Sequence, residues 1–583
     1  MFGDFEAQRH WLELTASLPP HEWYVNGTNN DLQYWGLDYP PLTAWHSLAM
    51  AKVAKVVHPS LVELVASRGA EAPADRTFMR LSVIVCDAFV LLPALALAGA
   101  LLPPAVEPTG GSAPGTVGRL VSGASAAVPA AWVFLAFPAL LLIDHGHFQY
   151  NSASLGLALG ALALLAVSAG PGPSTGPAGQ RQSVLPLLGR LGAAALFALA
   201  LSYKQMTLFL SPAVFVGHLA LAWRASSVSG AGSWSRSLGS FAAEVAALGA
   251  TVCLVTAAVW LPLCVSLPSP AADFPSSCAS VQLAALGRVF PFARGLFEDK
   301  VASLWCALEP VLRVRRRLLE GSIGLHSVLR LAAAATAALF LPALLSAASL
   351  CGCLARRAAA RPPSATARAT TASAPAAPLG LSLWLCLVAC ASGLSFFLAA
   401  FQVHEKTILV PLAPLAMGAG IAVAAPPAAL GPAGSAARRL YQWLCPLAVA
   451  GMAPLLHKEG LALPALAASG LAALVMLEPG HFWGWLGASP LVDGAEKCCW
   501  GLRMASLAHC GLVAPALSVA HAALLVGAWL LPPVPAYPDL FPQLLSAVHA
   551  AALLWALGVV TTAAWQAAAD LGAAVGEPRL KAE

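Results

Sequence analysis

"LSLWLCLVACASGLSFFLAAFQVHEKTILVPLAPLAMGAGIAVAAPP" (residues 381–427) decides the fold. Two apolar runs, 381–401 and 407–427, flank a short polar break, "QVHEK" (402–406). Each run has the roughly 20-residue length that carries an α-helix across the ~30 Å hydrocarbon core of a bilayer. The break between them reads as a tight loop that returns the chain across the membrane.

The pattern repeats outward from this stretch. Of 583 residues, 58% are hydrophobic and only 10% charged, against about 25% charged in a typical soluble domain. So few charges cannot cover a large soluble surface. Apolar runs recur at 81–104, 121–143, 152–170, 184–202, 206–223, 240–266, 323–350, 442–456, 460–477, 508–531 and 545–570. With the opening pair they predict about 13 spans. Abundant Ala, Gly and Pro blur the helix ends but are tolerated inside membrane helices. The fold class is therefore an all-α polytopic membrane protein. Residues 1–80, mixed and aromatic, read as an exposed segment with short amphipathic helices. Residues 81–570 form the multi-helix membrane domain, and 571–583 a short tail. The stretch 42–57 is apolar but short and interrupted by lysine, so it is not expected to span.

The net charge of +5 is spread thinly, with no basic block dense enough for nucleic acid. The 13 cysteines mostly lie inside apolar runs, such as Cys86, Cys253, Cys386 and Cys390. Without zinc-type spacing they read as small buried hydrophobes. Cys278 and Cys306 lie outside the strongest spans and are the candidates for a bridge.

Alternating the loops assigns them to two sides. One side receives 105–120, 171–183, 224–239, 351–380 and 428–441, with Arg119, Arg181, Arg224, Arg236, Arg356, Arg357, Arg361, Arg368, Arg438 and Arg439 against one acid, Glu107. Basic excess marks the cytosolic face. Segments 171–180 and 361–378, rich in Pro, Ser, Gly and Ala, read as flexible linkers there. The opposite face receives residues 1–80, "IDHGHFQYN" (143–151), "SYKQ" (202–205), the loop 267–322, "QVHEK" and "HKEG" (457–460). Polar chemistry thus collects on one non-cytosolic side. "RVRRR" (313–317) falls there too, against the rule, and reads as an interfacial helix end beside anionic lipid or phosphate. If residues 301–312 crossed the membrane, every later loop would invert. "NGT" at Asn26 is a glycosylation sequon on the same face.

Several clusters could carry chemistry. In "GDFEAQRHWLELT" (3–15), Asp4 suits a helix N-cap, and Glu6–Arg9 and Arg9–Glu13 have helical pair spacing. In "NNDLQYWGLDYPPLTAWHS" (29–47), Asp31 and Asp38 flank rigid aromatics, suiting either sugars or an interfacial belt. "DHGHFQYN", "SYKQ", "FPFARGLFEDK" (290–300) and "VHEK" are short polar islands whose shared face suggests a common cavity. His145 and His147 lack a definite metal-ligand geometry. Asp87, inside an apolar run, is expected to make a bundle-facing hydrogen bond.

"GDFEAQRHW", "NDLQYWGLDYPPLTAWHSL", "DHGHFQYN", "SYKQM", "FPFARGLFEDKVASLWC" and "VHEKTIL", in this order, resemble the dolichyl-phosphate-glucose-dependent glucosyltransferases of the endoplasmic reticulum. The resemblance runs from residue 2 to about residue 470; 478–507 and the linkers match poorly. It implies a GT-C fold of about 14 membrane helices, with a lumenal active site and a multi-pass endoplasmic reticulum location. The wording is that of the branch that adds the first glucose, in α-1,3 linkage, to the nine-mannose dolichyl-diphosphate oligosaccharide. The second-glucose branch and a non-catalytic transporter are the alternatives. A glycoside hydrolase with paired acids Asp4 and Asp38 fits so apolar a chain less well.

By this resemblance Asp4 is the catalytic base and His404 lies near the donor phosphate. Candidates for donor-phosphate or substrate binding are Lys406, Glu405, Arg294, Lys204, Arg9, His10, Asp38, Tyr39, His145, His147, Gln149, Glu298 and Asp299. The expected partners are dolichyl phosphate glucose, the lipid-linked acceptor and the bilayer, without nucleic acid, and the protein is expected to be a monomer. No cofactor or metal is expected, because no nucleotide pyrophosphate has to be held. The family carries a first membrane helix ahead of its "GD" motif, whereas here Met1 stands just before Phe2 and Gly3. The resemblance therefore predicts a truncated or lost first helix, the absent member of the family's fourteen.

Overall fold

A computed structural model describes residues 3–99, 137–168, 184–229, 234–265, 274–290, 301–360, 376–425, 427–476 and 540–573, with Ala520, Ala523 and Leu524 besides. Among these residues the structure is helical, with one isolated bridge between Gly27 and Asn30. Eight helices are long and apolar enough to cross a membrane: Pro73–Gly99, Pro186–Tyr203, Gln205–Ser226, Trp234–Cys264, Leu325–Leu350, Leu379–Ala399, Glu405–Val423 and Leu540–Leu571. At about 1.5 Å per residue even the 18-residue member reaches roughly 27 Å.

The expected count of about 13 spans is met only in part. The runs 121–143 and 508–531 lie largely outside the described residues. Of the run 152–170, the described residues form the shorter helix Asn151–Val167. The run 442–456 is the end of Pro427–Gly451, a helix broken at Gly431, where φ is +50. Of the run 460–477, the described residues show the helix Ala462–Met476. Leu304–Leu312 has nine residues and an internal Pro310. It spans only about 13 Å, so the chain does not cross there.

Burial sorts the helices into layers. Leu379–Ala399 and Glu405–Val423, the pair that opened the sequence reading, are 94% and 89% buried and form the centre. Trp384, Leu394, Leu409 and Leu415 are fully buried there. Trp234–Cys264 and Leu325–Leu350 are only 22% and 28% buried. Their outward leucines, such as Leu254 and Leu331, face what is hydrocarbon in a membrane-embedded chain.

The first eighty residues are exposed only in part, for example at Asn26, Val56 and Val57. Helix Gly3–Ser17 is buried along most of its length. Trp11, Leu14, Trp23, Tyr24, Leu37 and Leu263 close over one side, and Phe5, Leu12, Leu61, Met79 and Phe148 over the other. Burial is tolerable because its charges are paired: Arg9 donates to Glu6, Glu13 and Ser67. The membrane helix Pro73–Gly99 already begins inside this segment.

Cysteine pairing also differs from expectation. Cys278 is bonded to Cys264, not Cys306. A tight turn after Trp260 brings helix Phe274–Val289 back against the end of Trp234–Trp260. Cys306 is not part of a disulfide, and its amide donates to Ser303 Oγ at 3.3 Å.

Candidate active site

Each polar island sits where a helix is interrupted. Asp4 occupies the first turn of Gly3–Ser17, where a carboxylate complements the positive helix end. Residues Leu141–Phe148 wind as a π-helix, a local expansion common at functional sites. It ends at Phe148, whose φ of +90 turns the chain into extended Gln149. Phe148 is held in that unusual conformation by packing edge-on against Phe5 and Tyr150. Lys204 is a single extended residue between helix Val184–Tyr203 and the turn Gln205–Leu210. The central helix ends at Ala399, and Gln402, with φ +59, lies between it and the turn Glu405–Ile408 that carries Lys406.

These interruptions converge on Asp4. Its Oδ2 accepts from Lys406 Nζ, from Gln149 Nε2, and from His147 Nε2 at 2.6 Å. Lys406 Nζ also lies 3.2 Å from His147 Nε2. The other imidazole nitrogen of His147, Nδ1, is 2.5 Å from Glu459 Oε1. Lys204 Nζ donates to Gln149 Oε1 at 3.0 Å and to Asn151 Oδ1, and lies 4.6 Å from the centre of the Tyr39 ring. The Tyr39 hydroxyl reaches Gln149 Oε1 at 3.4 Å. Behind Asn151, fully buried Asp144 accepts from its Nδ2 and from the Ser152 amide, both at 2.7 Å.

The electrostatics follow from this geometry. Burial alone would raise the Asp4 carboxyl, but Lys406 and His147 hold it well below the usual range. Burial would lower His147, but hydrogen bonds to Asp4 and Glu459 raise it. Lys204 is pushed down by burial and by the neighbouring Lys406. Asp144 is pushed up by burial, although the Ser152 amide and Lys204 oppose this. Asp4 itself stays reachable, with its side chain 27% exposed.

The structure therefore brings together Asp4, His147, Gln149, Lys204, Lys406 and Tyr39. It places other candidates elsewhere. Arg9 and His10 are fully buried. Arg9 ties the first helix to the carbonyl of Leu61 and to Ser67, and His10 sits 3.1 Å from Glu13. His10 and Arg9, with the Val65 amide, offset burial and lower Glu13 to about 2. His145 pairs with Asp87 at 2.9 Å, so it points away from His147. That contact also supplies the partner expected for Asp87. His404 lies against Glu405 at 2.8 Å. The Asp38 carbonyl accepts from Gln205 at 3.3 Å. Arg294, Glu298 and Asp299 lie outside the described residues. Asn26 is exposed, its side-chain oxygen accepting from the Leu32 amide.

Glu459 is a participant to which the residues alone assign no part, although "HKEG" falls on the same predicted face as the other polar islands. Asn151 and Asp144 stood inside a quoted motif without an assigned part. Glu459 contacts His147 across 312 residues of chain, a pairing no local pattern announces.

The sequence matches, over residues 1–560, the family model described as ALG6, ALG8 glycosyltransferase family. It is similar to a Gallus gallus protein named dolichyl pyrophosphate Man9GlcNAc2 alpha-1,3-glucosyltransferase, with 33% identity covering 80% of this chain and 70% of that protein. A Rattus norvegicus protein of the same name is 35% identical over 72% of this chain and 64% of its own length. An Arabidopsis thaliana protein named as a probable enzyme of this kind is 32% identical over 82% of this chain and 70% of its own length. The aligned stretch thus spans 64–70% of the length of these relatives.

Proposed function

The chain belongs to the ALG6, ALG8 glycosyltransferase family, and we propose that it transfers the first glucose from dolichyl phosphate glucose to the nine-mannose dolichyl-diphosphate oligosaccharide. The names carried by its relatives support this acceptor and the α-1,3 linkage. The observation that carries the chemistry is the convergence of Lys406, His147 and Gln149 on one oxygen of Asp4.

The donor bears β-linked glucose and the product linkage is α, so one in-line displacement inverts the centre. The acceptor 3-hydroxyl gives its proton to Asp4 as its oxygen bonds to the glucosyl C1. The C1–O bond to phosphate breaks, and its electron pair leaves with dolichyl phosphate. That leaving group gains negative charge and needs cations rather than a proton. Lys406 and Lys204 supply them in a site shielded from water, where fixed charge acts most strongly. His404 is the further candidate for the phosphate. Asp4 as it stands is a weak base, because two cations sit on it. A donor phosphate competes for Lys406, and moving that cation restores the basicity of Asp4 as the reaction begins.

An apolar cavity of ≈ 440 Å³, lined by Phe340, Phe396, Ala400 and Phe401 among others, lies beside the end of the helix that leads to His404 and Lys406. It suits the first isoprene units of a polyprenyl chain. The Cys264–Cys278 bridge fits an oxidising lumen for the same face. The reading puts the protein in the endoplasmic reticulum membrane with a GT-C fold, about 13 helices of the family-typical 14 being present, acting as a monomer without a metal.

Purified protein with dolichyl phosphate glucose should glucosylate the nine-mannose acceptor and not one already carrying a glucose. The reverse preference would assign it to the second-glucose branch. Asp4→Asn should abolish transfer while leaving expression and thermal midpoint close to wild type. Substantial residual turnover in that variant would remove Asp4 as the base.

A further inference from the structure

Trp35 has no part in the network around Asp4, yet its conformation is unusual. Its φ is +50, in the left-handed region that bulky residues rarely enter. Its side chain is not packed away: the residue is 45% exposed. The backbone around it is pinned. Trp11 Nε1 donates to the Trp35 carbonyl at 2.8 Å. Arg288 donates to the carbonyls of Gly36 and Leu37 at 2.9 and 3.1 Å. The preceding Tyr34 donates to Glu6 at 2.9 Å, with the Arg68 guanidinium 4.5 Å from its ring centre. The surroundings thus force a strained residue to present an indole outward. Strain of this kind persists where the fold over-determines it, and it gathers at ligand sites.

The direction of presentation is specific. The indole lies over Gly3, the residue before Asp4. A Cβ on residue 3 would come within 2.3 Å of the Trp35 ring, so only glycine lets the ring approach the first turn of the catalytic helix. A partly bare aromatic face therefore lies over the residue that precedes Asp4 on the first turn of its helix.

We propose that Trp35 is the floor of a hexose subsite for the acceptor, on which the C–H face of the terminal sugar stacks while its hydroxyl meets Asp4. This rests on the reading of Asp4 as the base of a glucosyl transfer. The acceptor is favoured over the donor by position. The Trp35 ring lies over the residue that precedes the base for the acceptor hydroxyl, whereas the donor phosphate is served by Lys406 and Lys204.

The test uses two variants of the full-length protein in detergent and, as probe, a nine-mannose oligosaccharide released from its lipid. Trp35→Asn removes the indole but suits the left-handed backbone, and Trp35→Phe keeps an aromatic face. Trp35→Asn should weaken oligosaccharide binding roughly five- to tenfold. The KM for the lipid-linked acceptor should rise by the same factor, the KM for dolichyl phosphate glucose should stay put, and Trp35→Phe should recover most of the loss. Unchanged binding in Trp35→Asn, or equal losses for donor and acceptor, would overturn the subsite. If wild type binds the oligosaccharide in a Trp35-dependent way but transfers no glucose, the subsite stands and the reaction assignment fails. If wild type transfers glucose with Trp35→Asn unchanged in acceptor KM, the opposite holds.

Discussion

Three donors share one oxygen of Asp4; two of them are cationic, and the charge of one, Lys406, is also needed by the leaving phosphate. Lys406→Met should therefore act on the chemical step. It removes a stabiliser of the departing phosphate, and we expect kcat to fall roughly 10²–10³-fold with a smaller change in acceptor KM. A kcat near wild type would exclude Lys406 from the phosphate. His147 gives a pH signature. Asp4 and Glu459 raise it above its ordinary value despite burial, so its contribution to stability is complete below about pH 6.5. That contribution is lost as pH rises through the raised folded value. Glu459→Gln deletes one of the two carboxylates, so the loss should begin at lower pH. Thermal midpoints measured from pH 6 to 9 would show this, and superimposable profiles would remove Glu459 as the group that charges His147. Reading residues alone singles out His147, Gln149, Lys204 and Lys406, because a polar side chain between apolar runs is conspicuous, but it leaves Asp4 a helix N-cap, and only the family resemblance makes Asp4 the base. It credited Arg9 and His10 with substrate contact, where the fold uses them to fasten the first helix. Type and spacing do not say which way a buried charge faces.

At the scale of elements, the site depends on helices that approach closely and then stop. Gly393 lies against Pro411, and a Cβ there would meet the Pro411 Cα at 2.9 Å. That contact sets the spacing of the two central helices just before the loop that carries Lys406. Small residues at such contacts let membrane helices pack tightly. Gly393→Ala should destabilise by about 1–3 kcal/mol through overpacking and lower activity by displacing Lys406. Gly249→Ala, facing open space on an outer helix, serves as the control and should not lower the thermal midpoint. Equal midpoints for the two variants would show that the central pair relaxes freely. Hydropathy found these central helices well, since long apolar runs are their physical signature. It also predicts spans where the described residues give only Ala462–Met476 and the kinked Pro427–Gly451. Hydropathy measures oiliness, whereas helix continuity depends on local backbone conformation, as at Gly431.

At the scale of the molecule, the loops that alternation assigned to one side meet physically. Asp4, His147, Lys204, Lys406 and Glu459 come from five separate stretches and share one network. Arg288 fastens the 267–322 segment to the same assembly. Convergence fixes the sidedness of all of them together, so one reporter orients the whole set. Asn26 is that reporter: it is exposed, begins the sequon "NGT", and belongs to the segment that carries Asp4. If the face is lumenal, protein expressed in eukaryotic cells should lose one glycan-sized mobility step on endoglycosidase treatment. Asn26→Gln should run at the deglycosylated position from the start. A cysteine at exposed Gln33 tests the same face without relying on glycan occupancy. In sealed microsomes Gln33→Cys should resist a membrane-impermeant maleimide and react once the vesicles are opened. Labelling of intact vesicles would put Asp4 on the cytosolic side. Because the five stretches share one network, that single result would carry the entire site with it and remove the lumenal reading of the donor and acceptor.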